Sequence, residues 1–279
     1  MPLLKIRAER DQMSAIERRI ADYILENAHF LRDYSSQQLA DALGISQSSV
    51  VKFSQKLGFK GYPDLKYSIG ESIARNGEHR AISSTTDNDS PHNLLAAELW
   101  QTKARAEEET RLINPEGSID QIVEFIRQAG KIFVLGVGED SIAARSFAIR
   151  LSSLGFMTIH HFDPVLMPTG VLMATPGDAL VVFSEHGQQA AYCRLARLFS
   201  DRGGKVVSVT RHTGNPLRAH AHLPLLVSAH DDRPHVEPLL YQCALQHLLD
   251  VVFLVLCEDE QRRRQLDDIQ AQVRHLLDN

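Results

Sequence analysis

Residues 35–57 read SSQQLADALGISQSSVVKFSQKL, and this stretch decides how the first part of the chain folds. Ser35 or Ser36 opens a short helix with Leu39, Ala40 and Leu43 on one face. Gly44 stops it, because glycine alone enters the left-handed region without penalty. Ser46 is placed to cap a second helix, Gln47–Leu57, whose Val50, Phe53 and Leu57 turn inward; Gly58 ends it. Ile45, directly after the turn, plugs the angle between the helices. A supporting helix, a sharp turn and a helix with an exposed polar face make a helix-turn-helix, whose second helix can enter the major groove of DNA.

The outward residues of that second helix are Gln47, Ser48, Ser49, Lys52, Gln55 and Lys56. Glutamine can pair bidentately with adenine and lysine with guanine, and serine hydroxyls reach phosphates or base edges. No carboxylate lies between Gly44 and Tyr62. The expected DNA contacts are Ser35, Ser36, Ser46, Gln47, Ser48, Ser49, Lys52, Gln55, Lys56 and Lys60. The alternative is a generic small helical domain with a polar surface helix.

Around this core, Ser14 and Glu17 have capping-box spacing before a helix over 14–28 that carries Ile16, Ile20, Tyr23, Ile24 and Asn27. Pro63 is placed to open a fourth helix, with Leu65, Ile69 and Ile73. Residues 76–92 contain the run SSTTDNDSP and almost no apolar content, so they read as a linker. The expected organisation is a helix-turn-helix domain over 1–77, a linker over 78–92 and an α/β domain over 93–279.

The 279 residues carry a formal net charge of −5. Residues 1–80 hold 12 Lys+Arg against 10 Asp+Glu, and the remainder 18 against 25. Gly44–Gly70 has four lysines against Asp64 alone, so the average hides a basic surface. No run of 18 apolar residues marks a membrane span, and the N-terminus lacks a signal pattern. Cys193, Cys243 and Cys257 have no metal-like spacing and read as reduced, mostly buried thiols. A cytoplasmic protein is expected.

From Asn93 onward helices alternate with short apolar strands over 131–135, 156–160, 179–184, 205–210 and 223–227. Helices are expected over 141–154, 165–174, 188–202, 236–257 and 260–277. This alternation predicts a parallel, flavodoxin-like sheet flanked by helices. The first strand enters Gly136-Val137-Gly138-Glu139-Asp140-Ser141, and the third enters Ser184-Glu185-His186-Gly187-Gln188. Paired loops at the carboxyl ends of parallel strands face one crevice, where such sheets bind ligands. Backbone N–H groups at helix starts favour an anion there. The expected effector contacts are Gly136, Gly138, Ser141, Ser184, Glu185, His186, Gly187 and Gln188; the alternative is glycines serving only tight turns.

The ungapped stretch from Leu39 to Lys66, LADALGISQSSVVKFSQKLGFKGYPDLK, resembles the N-terminal domain of RpiR-type transcriptional regulators. The resemblance implies a C-terminal sugar isomerase (SIS) domain that senses a phosphorylated sugar. It also implies a homodimer or tetramer on a roughly palindromic operator, more readily a repressor than an activator, controlling carbohydrate-metabolism genes. The loops depart from the SIS pattern: Glu139 and Asp140 are acidic spacers with one residue extra, and Glu185 and His186 stand near the usual hydroxyls. A carboxylate beside a phosphate is repulsive.

Glu185, His186 and Glu237 are nominal bases for sugar isomerisation, but Glu237 sits where a helix start favours an acid anyway. No catalysis, cofactor or metal is expected. The histidine clusters His160–His161, His220/His222, His230 and His235 lack ligand spacing. Asn215, in Gly214-Asn215-Pro216-Leu217, occupies a hydroxyl position of the SIS pattern and speaks to the fold. A sugar-phosphate isomerase with an accessory helical domain, and a non-catalytic SIS interaction module, are the alternatives.

Overall fold

The computed structural model describes residues 2–10, 13–28, 31, 34–81, 91–161 and 163–277, with the side chains of 72–81 and 277 left aside. The chain divides into two compact units, Met1–Glu98 and Leu99–Asn279.

The first unit contains α1 (Pro2–Glu9), α2 (Ala15–Glu26), α3 (Ser36–Leu43), α4 (Gln47–Lys56) and α5 (Tyr62–Ala81). Ser14 and Glu17 form the capping box at α2, and Asn27 closes that helix. Gly44 caps α3 at φ +60°, where an L side chain would be strained. Ile6, Ile20, Ile24, Leu39, Val50, Phe53, Leu57, Leu65 and Ile69 form one core. Helical spacing admits Ile16 to that face, yet it sits in the first turn of α2, before the packed residues, and is 47% exposed. Helix α1 adds Ile6 to the core, a contribution its short mixed sequence does not announce. Helix α5 reaches Ala81 and α6 (Pro91–Ile113) begins at Pro91, so helix occupies both ends of the expected linker. Residues 82–90, like the side chain of Ile73, lie outside the described residues.

The second unit takes in α6 from Leu99 and continues with α7 (Glu116–Gln128), β1 (Ile132–Leu135), α8 (Asp140–Ser153), β2 (Thr158–His161), α9 (Met167–Leu172), β3 (Ala179–Phe183), α10 (Ala190–Asp201), β4 (Lys205–Arg211), β5 (Leu223–Val227), α11 (Glu237–Leu256) and α12 (Glu260–Leu277). A 3₁₀ turn, Leu217–His220, lies between β4 and β5. The five strands are all parallel in the order β2-β1-β3-β4-β5. Alternate residues face opposite sides, as the twofold period of a strand requires. Ile132, Val134, Val181 and Val207 join α7, α8 and α11, whereas Phe133, Leu135, Val182 and Val206 join α9 and α10.

Burial on both faces explains why β1, β3 and most of β4 read as continuous apolar runs. Helix α11 has the length and composition to cross a membrane, but Leu240, Ala244, Leu245, Leu248, Leu249, Val252 and Leu256 are core residues. The three cysteines are free and half-buried.

The outer strand β5 is satisfied by a side chain. Buried Asn114, just after α6, donates Nδ2 to the Leu226 carbonyl at 2.6 Å and accepts the Leu226 N–H on Oδ1 at 3.0 Å. Its amide thus replaces a peptide of a missing neighbouring strand. Thr110 does the same for the Ser228 N–H at 2.9 Å. Both contacts match the rule that buried backbone groups are paired.

Candidate functional site

The first candidate surface is built on α4. Its N-terminus is fixed by Ser46, whose Oγ accepts the Ser49 N–H at 3.3 Å and lies 2.9 Å from Ser48 Oγ and 2.8 Å from Ser49 Oγ. Ser35 caps α3 in a reciprocal box with Gln38. Gln47 donates Nε2 to Ser36 Oγ at 2.8 Å, tying the two helix starts together across the turn. Val50, Phe53 and Ser54 face the core, and Ser54 donates to the Val50 carbonyl.

Ser35, Ser46, Gln47, Ser48, Lys52, Gln55, Lys56 and Lys60 are exposed; Ser36 and Ser49 are half-buried. Lys52 meets no carboxylate among the described residues. Lys56 does: its Nζ lies 2.9 Å from both oxygens of Glu17 on α2. That bond holds the Glu17 carboxyl below its ordinary range. The segment 44–62 is free of carboxylates in sequence, but folding brings one to its C-terminal end.

The second candidate surface lies at the carboxyl edge of the sheet. Strand β1 pairs with β2 on one side and β3 on the other, so the connections leave β1 and β3 in opposite directions. Open parallel sheets bind ligands in the crevice at such a switch point, here between the loop 136–139 and the loop 184–189. The two loops do meet: the Glu185 N–H donates to the Asp140 carboxylate, 3.3 Å from Oδ1 and 3.2 Å from Oδ2.

Gly136 is buried where a side chain would strike the Asp140 carbonyl, and Gly138 takes φ +61°. Ser141 Oγ donates to the Gly138 carbonyl at 2.6 Å. Ser184 and Gly187 are buried, Glu185 is half-buried, and His186 and Gln188 are exposed. Gly187 adopts φ +59°, and a Cβ there would overlap the Asn215 amide. Its carbonyl accepts the Leu217 N–H at 3.2 Å, so the turn bearing Asn215 closes on the same loop.

Behind Glu185 stands Arg211, the last residue of β4. Its Nε donates to Glu185 Oε1 at 2.7 Å and its Nη1 to Glu237 Oε2 at 3.1 Å. His230 Nδ1 lies 3.4 Å from Glu237 Oε1. The guanidinium also sits 6.0 Å from the centre of the Tyr241 ring. Burial pushes the Asp140 carboxyl up to about 6, helped by the charges of Glu185 and Glu139 and opposed by the Glu185 N–H and His186. Burial likewise raises Tyr241 well above the ordinary phenol range, with Asp140 and Glu185 adding to it.

Local contacts bring residues 136, 138, 141, 184, 185 and 187 together at the carboxyl edge of the sheet, with His186 and Gln188 exposed beside them. Asp140, Arg211, Tyr192, Tyr241 and Asn215 belong beside them. Arg211 could have been found as a charge ending a buried strand. The two tyrosines look like ordinary members of apolar helix faces. Among the described residues, no group of three His, Cys, Asp or Glu side chains is arranged to hold a metal.

A helix-turn-helix unit joined to a flavodoxin-like unit with a crevice at its switch point defines a two-part transcription regulator. The chain belongs to the rpiR family of such regulators: residues 2–76 match the helix-turn-helix domain of the rpiR family and residues 125–256 match the SIS domain. It is 31% identical over 260 residues to the uncharacterized HTH-type transcriptional regulator YfhH of Escherichia coli K12, covering 92% of each chain. Among solved structures it resembles the Vibrio vulnificus NanR protein complexed with ManNAc-6P, with a TM-score of 0.62, 24% identity and full coverage of both chains. It also resembles the sugar isomerase domain of an RpiR transcription factor from Sphaerobacter thermophilus, with a TM-score of 0.57 and 17% identity over 63% of this chain and 98% of that one. At these identities the two structures speak to the fold.

Proposed function

We propose that this regulator binds a roughly palindromic operator through α4 as a homodimer or tetramer, represses carbohydrate-metabolism genes and reads a sugar phosphate or related sugar derivative in the switch-point crevice. The observation that carries the DNA reading is the exposed face of α4, where Gln47, Ser48, Lys52 and Gln55 stand together on a helix held at a fixed angle by Gly44 and the Ser46 cap. Amides and a lysine on a groove-sized helix can read base edges, and repeating them by symmetry supplies affinity. Such a protein works beside the chromosome, in the cytoplasm.

The sugar reading is supported by the ligand named for NanR, by the sugar isomerase domain named for the Sphaerobacter protein and by the paired loops at the β1/β3 switch point. A ligand there would change the placement of the DNA-binding units only by binding one arrangement better than another. Catalysis is not part of the proposal. The nominal bases Glu185 and Glu237 both pair with the Arg211 guanidinium, which ties up one oxygen of each.

The test is capture of genomic fragments by the full chain followed by sequencing, with a sugar panel added to the bound complex. Recovery of a small set of palindromic sites, released by a sugar derivative, is expected. Capture without sequence preference would remove the reading.

A further inference from the structure

Three hydrogen-bond donors at the crevice are engaged by the chain itself. The Glu185 N–H, which points where an anionic ligand oxygen would be received, is held by Asp140. The Ser141 hydroxyl donates to Gly138. The Arg211 guanidinium is divided between Glu185 and Glu237. Negative charge gathers beside these donors: Glu185 and Glu237 on Arg211, and Glu139 and Glu185 close enough to act on Asp140.

A second observation marks the place as incomplete. The Tyr241 hydroxyl is buried, in a residue only 3% exposed, and has no hydrogen-bond partner among the described residues. The charges of both Asp140 and Glu185 act on it. Buried polar atoms are almost always paired, so the unmet Tyr241 hydroxyl, close enough to the amide–carboxylate contact to feel both its charges, leaves a place for a further partner.

We propose that this partner is a sugar without a phosphate, uncharged or carrying an amine, and that Asp140 is the residue that sets the choice. Resting on the reading of the crevice as a sugar-derivative site, the proposal specifies its ligand class. Sugar hydroxyls or an ammonium group donate to the Asp140 carboxylate, and a ligand oxygen pairs with the Tyr241 hydroxyl. A phosphate at the same position meets the carboxylate that already holds the amide it needs, and like charges in a partly dehydrated site repel strongly.

The test uses the full chain and matched pairs: glucosamine with glucosamine 6-phosphate, and N-acetylmannosamine with ManNAc-6P. Inorganic phosphate probes the anion site alone. Affinity is read by calorimetry and by thermal shift at pH 7.5. The unphosphorylated member of at least one pair is expected to bind at least tenfold more tightly than its phosphorylated counterpart, with no shift from inorganic phosphate. Asp140→Asn and Asp140→Ser, each checked for an unchanged circular dichroism spectrum, are expected to narrow that gap by a gain of at least tenfold for the phosphorylated member.

Tighter binding of the phosphorylated member in every pair that binds wild type overturns the proposal and leaves the sugar reading standing. Unchanged discrimination in both folded variants overturns the role of Asp140. Absence of binding by either member of every pair, with operator binding intact, counts against the sugar reading and the proposal together.

Discussion

Lys56 on α4 is locked to Glu17 on α2, with its Nζ 2.9 Å from both carboxylate oxygens across 39 residues of sequence. The two lysines of the exposed helix are thus unequal. Lys52 is available to a phosphate, whereas Lys56 must first leave a carboxylate. Lys52→Ala is expected to lower the slope of log affinity against log salt by about 1, and Lys56→Ala by less than half of that. Glu17→Gln releases Lys56 and is expected to strengthen binding. Fluorescence anisotropy across a salt series checks all three; equal losses for the two lysine variants would contradict the arrangement.

Two left-handed glycines give a graded test of backbone geometry. Gly44 has open space where a Cβ would go, so Gly44→Ala is expected to cost only the backbone penalty, about 1 kcal/mol. Gly187 has a similar φ but faces the Asn215 amide, so Gly187→Ala adds a steric conflict and is expected to cost more. Urea unfolding of the full chain measures both.

Asn114 stands in for a missing strand beside β5. Asn114→Ala leaves the buried N–H and C=O of Leu226 without partners, an expected loss of about 2–4 kcal/mol. Asn114→Asp keeps an acceptor for the Leu226 N–H but, when ionised, sets an oxygen against its carbonyl. It is also expected to destabilise, and less so in acid. Chemical denaturation at pH 5 and pH 7.5 distinguishes the variants.

The Asp140 carboxyl titrates near 6 in the folded chain and near 4 unfolded, so the folded state holds its proton more tightly. Stability from this group is complete below about pH 4 and is lost as pH rises through 6, by about 2–3 kcal/mol. The surrounding groups are Glu139, Glu185, His186, Tyr192 and Tyr241. Asp140→Asn removes the titration. The stability difference between variant and wild type is expected to move in the variant's favour from pH 4 to pH 6.5 and then level off. A flat difference would contradict the buried setting of Asp140.

Much of the architecture was legible in the sequence because local chemistry and global packing agree. Gly44, Ser46 and the spacing of Val50, Phe53 and Leu57 define α3 and α4 without reference to distant residues. The doubly buried strands β1 and β3 announce themselves as short unbroken apolar runs. The edges were less legible. The helix expected over 165–174 forms only over Met167–Leu172, where Met167 and Val171 find the core and Val165 remains exposed.

The crevice was legible as two glycine-bearing loops, but its electrostatics were not. The Asp140–Glu185 contact spans 45 residues and the Arg211–Glu185 pair 26, separations that no spacing rule reveals. In sequence Asp140 is an acidic spacer beside an anion site. In the fold it takes the amide that site would use.

Recognition of DNA by α4 is the claim on which the regulator's function turns. The most direct measurement is sequencing of genomic fragments captured by wild type and by a Gln47→Ala/Lys52→Ala variant with the same melting behaviour. Wild type is expected to enrich a small set of roughly palindromic sites that the variant fails to enrich. Enrichment of the same sites by both proteins would contradict the assignment of α4 as the recognition helix.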